Sequence, residues 1–453
     1  MNGNEKIVLD SLSDLVVTIK TTIEAERING NIQPQEEIYK HFIVDEFHYD
    51  GEFPSIEAHC EDISTNTWFK AQNKIHELIK KTKIYYTVED CLNSITNRKS
   101  NSNTLDELVF RLIHTYFSEK EKFDRKAEEL SLNYIRELKG MPIKYFGTVY
   151  LQGVVLELDQ IQINDNVLLR RAKKEDFEYN APAEYFVPRS FDYHFSSAFL
   201  EIEIYGIGPV NLQNEISKLI VLLRLFKIGG ITVIKYRIDS ESFFSISGGT
   251  ISSMYSDISF GKYTINEEHV IPLKHFWNLI YTLIPTHLYE QNKVDHISIA
   301  YQHYTDSQTR KGILEQRIAT AIMGLEAVLL KSDEKSELSY RLGIRTAKIF
   351  SIFSKNSIDI REAVKDAYHV RSVFLHGDKL PDSKKKKLTS KYGDLTNLFE
   401  KILDCLRDLL IMSFMVDIDK EKFIDLIDDS FIDEEKNKQL VEIIRNHILK
   451  SYQ

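Results

Sequence analysis

The residues with the most chemical content in this chain are Arg371 and His376, four positions between them and Gly377 directly after. A guanidinium presents a planar fork of donors that matches phosphate oxygens. An imidazole takes and gives protons near neutral pH. Together they suffice for cutting RNA by transesterification. The arginine grips the scissile phosphate, the histidine moves protons, and the substrate's own 2′-hydroxyl attacks. That chemistry calls for no metal and no cofactor. Tyr368 before the pair and Ser372 directly after the arginine are neighbours placed to orient the phosphate or the imidazole. Arg-x4-His is weak as a bare pattern, expected about once or twice by chance at this length. A second match, Arg189 to His194, follows Pro188 in a stretch without helical periodicity and is set aside on context.

The element that must carry the pair is a helix over residues 358–376. On a wheel of about 100° per residue, Ile360, Val364, Ala367, Phe374 and Leu375 share an apolar face, with Arg371 near its centre. An arginine keeps its charge, so burial there demands a partner. Three partners are open. One is an acidic side chain of the same bundle, for which Glu326 stands ready on the flank of the stripe Leu314, Ile318, Ile322, Leu325 and Leu329. The second is the equivalent helix of another subunit, and the third is a phosphate. Gly377 is a natural terminator. It leaves His376 at the exposed carboxyl end of the helix, roughly 7.5 Å along the axis from Arg371.

The run Tyr368-His369-Val370-Arg371-Ser372-Val373-Phe374-Leu375-His376-Gly377 resembles the signature helix of Apea-like HEPN domains. Residues 322–330 and 338–342 resemble the two helices that precede it there, in the same order, so the likeness covers about residues 295–415. The stretch 149–177 is similar to domains found upstream of such modules. The resemblance implies an all-helical bundle, a homodimer whose Arg and His motifs face each other, and metal-independent RNase activity of a toxin-like or antiviral defence effector. It implies that Arg371 holds the phosphate and His376 shuttles protons. Ser372 departs from the family, where Asn, Asp or His often follows the arginine. Some members are inactive and serve as dimerisation or nucleic-acid-binding scaffolds, which is the alternative reading of this chain.

Charge points the same way. Between Arg371 and Lys391 there are seven Lys or Arg against two Asp, including Lys379 and the run Lys384, Lys385, Lys386 and Lys387. Such a patch guides RNA to the site or is a solvated loop between helices. The chain as a whole carries 68 acidic against 58 basic residues, a net charge of −10. A general nucleic-acid coat is therefore excluded, and a local, structured target such as a tRNA loop is preferred. Asp45, Glu46, His48, His59 and Cys60 cluster without a metal-ligand spacing. Glu201 and Glu203 share a strand face and read as solvated. No glycine-rich phosphate loop and no nucleophile elbow is present.

Scarce glycine (18) and proline (9), with 43% hydrophobic residues, fit an α+β protein of several domains. Residues 1–140 read as a mostly helical region, with helices at 67–83 and 105–138 and a polar loop at 93–103. Residues 141–268 read as a mixed, β-rich domain that senses a trigger or restrains the rest, with strands at 146–158, 160–163, 199–206 and 231–236. Residues 269–453 read as the helical bundle, with helices at 336–350, 358–376 and 390–416. Three scattered cysteines rule out a disulfide framework. No apolar run is long enough for a bilayer and no leader opens the chain, so a soluble cytoplasmic protein is expected, with RNA, a second copy and a trigger or inhibitory protein as partners.

Overall fold

The computed structural model describes residues 3–50, 53–95, 102–182, 196–206, 212–243, 249–252, 262–290, 293–310, 312–416 and 418–449. The first region contains α1 (Gly3–Ile28), β1 (Gln35–Asp50), β2 (Phe53–Thr67), α2 (Phe69–Lys80), α3 (Lys83–Ile95), α4 (Ser102–Ser118) and α5 (Phe123–Leu138). Its helices close over their own core, in which Leu12, Ile75, Val88, Leu112 and Ala127 are buried. The stretch expected as one helix over 105–138 breaks between α4 and α5. Of the loop expected at 93–103, residues 96–101 lie outside the described residues.

The hairpin β1–β2 lies within residues 1–140 among the helices and was not expected there. Its strands pair antiparallel from Gln35↔Thr67 to Asp50↔Phe53, with a bulge between Val44 and Glu46. Apart from Val44 and Pro54 its described residues are half-buried or exposed, so it lacks the clean apolar alternation of a strand with one fully buried face. Part of it docks: Val44, Phe47 and Ile56 pack on Ala172, Phe177 and Phe199. There the Tyr49 hydroxyl reaches the carbonyls of Ala172 and Ser197, both at 3.2 Å.

The middle of the chain supplies β3 (Ile143–Gln152), β4 (Val154–Leu156), β5 (Gln160–Asn164), β6 (Val167–Arg171), β7 (Tyr179–Pro182), β8 (Ser196–Gly206), α6 (Leu212–Phe226), β9 (Thr232–Ser240), β10 (Gly249–Ser252) and β11 (Tyr263–Ile265). Six strands form one antiparallel sheet in the order β10-β9-β3-β8-β6-β5. β7 joins the hairpin on β1, and β11 lies parallel to β4. The sheet is covered by α6. An added Cβ on Gly147 would stand 3.1 Å from Leu212, so the absence of a side chain lets helix and strand approach. Beyond β9, Phe243 inserts into the first region's core, and the buried Glu137 accepts from its backbone N–H at 2.7 Å.

Among the described residues ten helices follow: α7 (Glu267–Ile280), α8 (His287–Glu290), α9 (His296–Thr309), α10 (Leu314–Leu329), α11 (Leu338–Ile352), α12 (Ser357–Leu375), α13 (Asp382–Tyr392), α14 (Leu395–Met415), α15 (Lys420–Asp429) and α16 (Glu434–Leu449). No break in the apolar core separates them from the sheet: Leu200, Leu219, Trp277, Leu325 and Leu406 belong to one contiguous cluster. The helix expected over 390–416 is α14 alone, because Gly393 at φ +83° turns the chain after α13. Lys384–Lys387 therefore sit in a helix and not in a loop. No helix among the described residues is long and apolar enough to cross a membrane.

Candidate functional site

α12 starts on Asn356, whose side chain accepts from the N–H groups of Ile358 and Asp359. This satisfies two of the donors every helix leaves open at its start. Ile360, Ala363, Val364, Ala367 and Val370 then recur at intervals of three and four and are buried. The face differs from the expected one at its end, where Leu375 is 51% exposed. The helix closes with paired bonds, Gly377 N–H to Phe374 O at 3.0 Å and Asp378 N–H to Val373 O at 3.1 Å. That closure needs a left-handed residue, and Gly377 supplies it at φ +78°. His376 is the cap residue, exposed and held by its backbone N–H on Ser372 O.

Arg371 takes the first of its three open partners. Its Nη2 lies 3.1 Å from Glu326 Oε2 across the α10–α12 contact, with side chains 24% and 16% exposed. The Tyr368 ring lies under the guanidinium, 5.3 Å from Cζ. Nε is buried and donates to nothing. Burial pushes the Glu326 carboxyl up, against the opposing pull of Arg371 and Tyr368. The Tyr368 phenol is likewise raised, first by burial and then by the Glu326 charge. Ser372 is half-buried one position on. Arg371 and His376 are not hydrogen-bonded to each other, and five helical positions rotate through about 140°. The structure therefore gathers Tyr368, Arg371 and Glu326 and sets His376 about 140° round α12 from Arg371, with Tyr368 between the two.

The basic residues divide as well. Lys379, Lys385, Lys386 and Lys387 are exposed. Lys384 pairs with Asp366 at 3.2 Å, and Lys391 reaches both Glu362 and Asp366. Against its burial, Asp366 is held below the usual carboxylate range by Lys391, Tyr392 and Lys384. These bonds dock α13 on α12.

No family model, curated protein or solved structure matches this chain.

The other residues singled out by type are spent on structure. His59 on β2 has Nδ1 at 2.8 Å from Asp45 and Nε2 at 3.0 Å from Glu61, which raises its pKa. An imidazole engaged by carboxylates on both nitrogens favours its protonated form, the wrong form for ligating a metal. Among the described residues no group of His, Cys, Asp and Glu is arranged to hold an ion. Glu201 and Glu203 are not simply solvated: they pair with Arg170 and Lys144, both at 2.7 Å. Arg189 and His194 lie outside the described residues.

Sequence reasoning missed the most buried arginine. Arg345 on α11 is 1% exposed. It donates to both carboxylate oxygens of Glu334, to both of Asp428, and to Leu329 O. The clamp fixes the α10–α11 connection against α15. Nothing in the run Leu342-Gly343-Ile344-Arg345-Thr346 distinguishes this arginine from a surface one. Its two carboxylates are 11 and 83 positions away.

Proposed function

We propose that this chain is a metal-independent endoribonuclease, with Arg371 as the phosphate-binding residue and His376 as the proton-transferring one. The observation that carries this reading is the pairing of an exposed histidine fixed at a helix end with a guanidinium about a turn and a half away whose buried Nε has no partner. In the reaction His376 takes the proton of the 2′-hydroxyl as that oxygen bonds to phosphorus. The bond from phosphorus to the 5′-oxygen breaks, and this oxygen takes a proton from the His376 imidazolium, which returns to its neutral form. The products are a 2′,3′-cyclic phosphate and a 5′-hydroxyl. Because the two groups leave α12 in different directions, one chain does not aim both at one phosphate. The reading therefore includes a homodimer, in which the second copy completes the site. Tyr368 and Glu326 position Arg371.

The Arg371–Glu326 pair favours a second reading, a non-catalytic module that scaffolds a partner, in which the pair is purely structural. Incubation of the purified chain with total RNA in EDTA separates the two. The enzyme gives discrete fragments with 2′,3′-cyclic phosphate ends, and His376→Ala abolishes them. Identical fragments from both proteins would refute the role of His376. Silence from the intact chain, added trigger candidates included, would favour the scaffold.

A further inference from the structure

Beside Tyr368 an open groove of about 960 Å³ runs between α12, α13 and the start of α11. Six cations line it against three carboxylates. Two of the cations, Lys384 and Lys391, are tied to Asp366 and Glu362. The other four, Lys335, Arg361, Lys365 and Lys387, make no ion pair among the described residues. On its rim stands the aromatic ring of Tyr340, a residue 62% exposed. The chain turns into α11 through Glu337 in the left-handed region at φ 55°, a strained conformation for a side-chain-bearing residue.

The helical wheel connects this groove to the candidate site. Arg361, Lys365, Tyr368, Ser372 and His376 fall at spacings of four, three, four and four, so they form one stripe along α12. Arg361 and His376 are separated by roughly 22 Å of helix axis. At about 3.4 Å per stacked nucleotide that is room for roughly six. Unpaired cations on a track, with an exposed aromatic beside them, are what a protein offers to single-stranded nucleic acid: phosphates sit on the charges and an unstacked base lies on the ring. A duplex keeps its bases stacked and has nothing to give Tyr340.

We propose that this groove is the seat of single-stranded RNA, with Lys335, Arg361, Lys365 and Lys387 on its phosphates and Tyr340 under a base, leading the strand along α12 to His376. The inference deepens the ribonuclease reading and rests on it for the choice of RNA.

The test is fluorescence anisotropy in EDTA. A labelled single-stranded RNA of about 12 nucleotides, twice the length of the track, is titrated with the full chain carrying His376→Ala so that the probe stays whole. Replacing Arg361 and Lys365 together by Gln should weaken binding at least about tenfold and reduce the slope of log K against log salt by about 1.4, two phosphates' worth on a single strand. Tyr340→Ala should weaken it about tenfold while leaving that slope unchanged. Lys436→Gln with Lys438→Gln removes the same charge outside the groove, from exposed positions on α16, and should cost less than about threefold. Thermal melts confirm that each variant is folded. Equal loss from the two double variants, equal affinity for duplex RNA, or no binding at all would overturn the groove. Tight groove-dependent binding with no cleavage by the native chain would leave the groove standing and sink the nuclease. Cleavage untouched by Arg361, Lys365 and Tyr340 substitutions would do the reverse.

Discussion

Glu334→Gln offers a quantitative test of how the rim of the groove is held. Glu334 lies in the α10–α11 connection, one residue before Lys335 and three before Glu337, with its side chain 9% exposed. Its oxygens accept from Arg345 at 2.5 and 2.8 Å, from Arg341 at 3.0 Å and from the Lys331 backbone at 3.0 Å. Arg345 foremost, against the opposing effect of burial, brings its pKa down from 4.5 to about 2. At about 1.4 kcal/mol per pKa unit, the ionised carboxylate stabilises the fold by about 3 kcal/mol. The sign follows from the depressed folded value. The contribution is fully present above the unfolded value of 4.5 and is lost as pH falls towards 2. By pH 3 it should be down to about 1.4 kcal/mol. The amide cannot accept the whole arginine fork and turns N–H donors towards it, so the full contribution should vanish. Calorimetry at pH 7 should then show the transition of the core that sheet and helices share lowered by roughly 5 °C, shrinking by more than half at pH 3. A fall below about 1 °C at pH 7, or the same fall at both pH values, would refute the account of a buried carboxylate clamped by Arg345.

Arg371→Ala should abolish RNA cleavage and also destabilise, by about 2 kcal/mol at pH 7, less than a fully buried pair because both side chains keep some exposure. It strands the Glu326 carboxyl, already raised by burial, in a less favourable site. Since a raised folded value favours the protonated form, the penalty should be absent below the ordinary carboxylate range and grow as pH rises, which melts between pH 4 and 7 would show. Gly377→Ala meets no neighbouring atom within 4 Å, so only the left-handed backbone at φ +78° resists it. The expected cost is about 1–2 kcal/mol, with kcat falling as the seat of His376 loosens. Gly324→Ala would place a Cβ 2.5 Å from Leu406 Cδ2, where α10 crosses α14, and should lower stability by about 1–3 kcal/mol in urea titrations. A neutral result would mean that Leu406 has room to turn away.

Local pattern settled much of this protein before any tertiary contact was considered. The period of the apolar residues in α10 and α12, the stop at Gly377, and the alternation of Leu200, Ile202 and Ile204 in β8 are each decided within a few residues, because backbone geometry alone fixes which side chains share a face. Even the partner of Arg371 was among the candidates legible on facing helices. The β1–β2 hairpin was hidden because, Val44 and Pro54 apart, its described residues are half-buried or exposed, which leaves the pattern without a fully buried face to record. The helix carrying Lys384–Lys387 was hidden because bonds from Lys384, Lys391 and Tyr392 to Asp366 anchor it, and these join residues 18 to 26 apart. Only the tertiary structure decided which arginine is buried. Arg371 looked central on its helix and remains a quarter exposed, whereas Arg345 is enclosed by Glu334 and Asp428. A charge can be buried only where distant parts of the chain bring its counter-charges, and no local window holds that information.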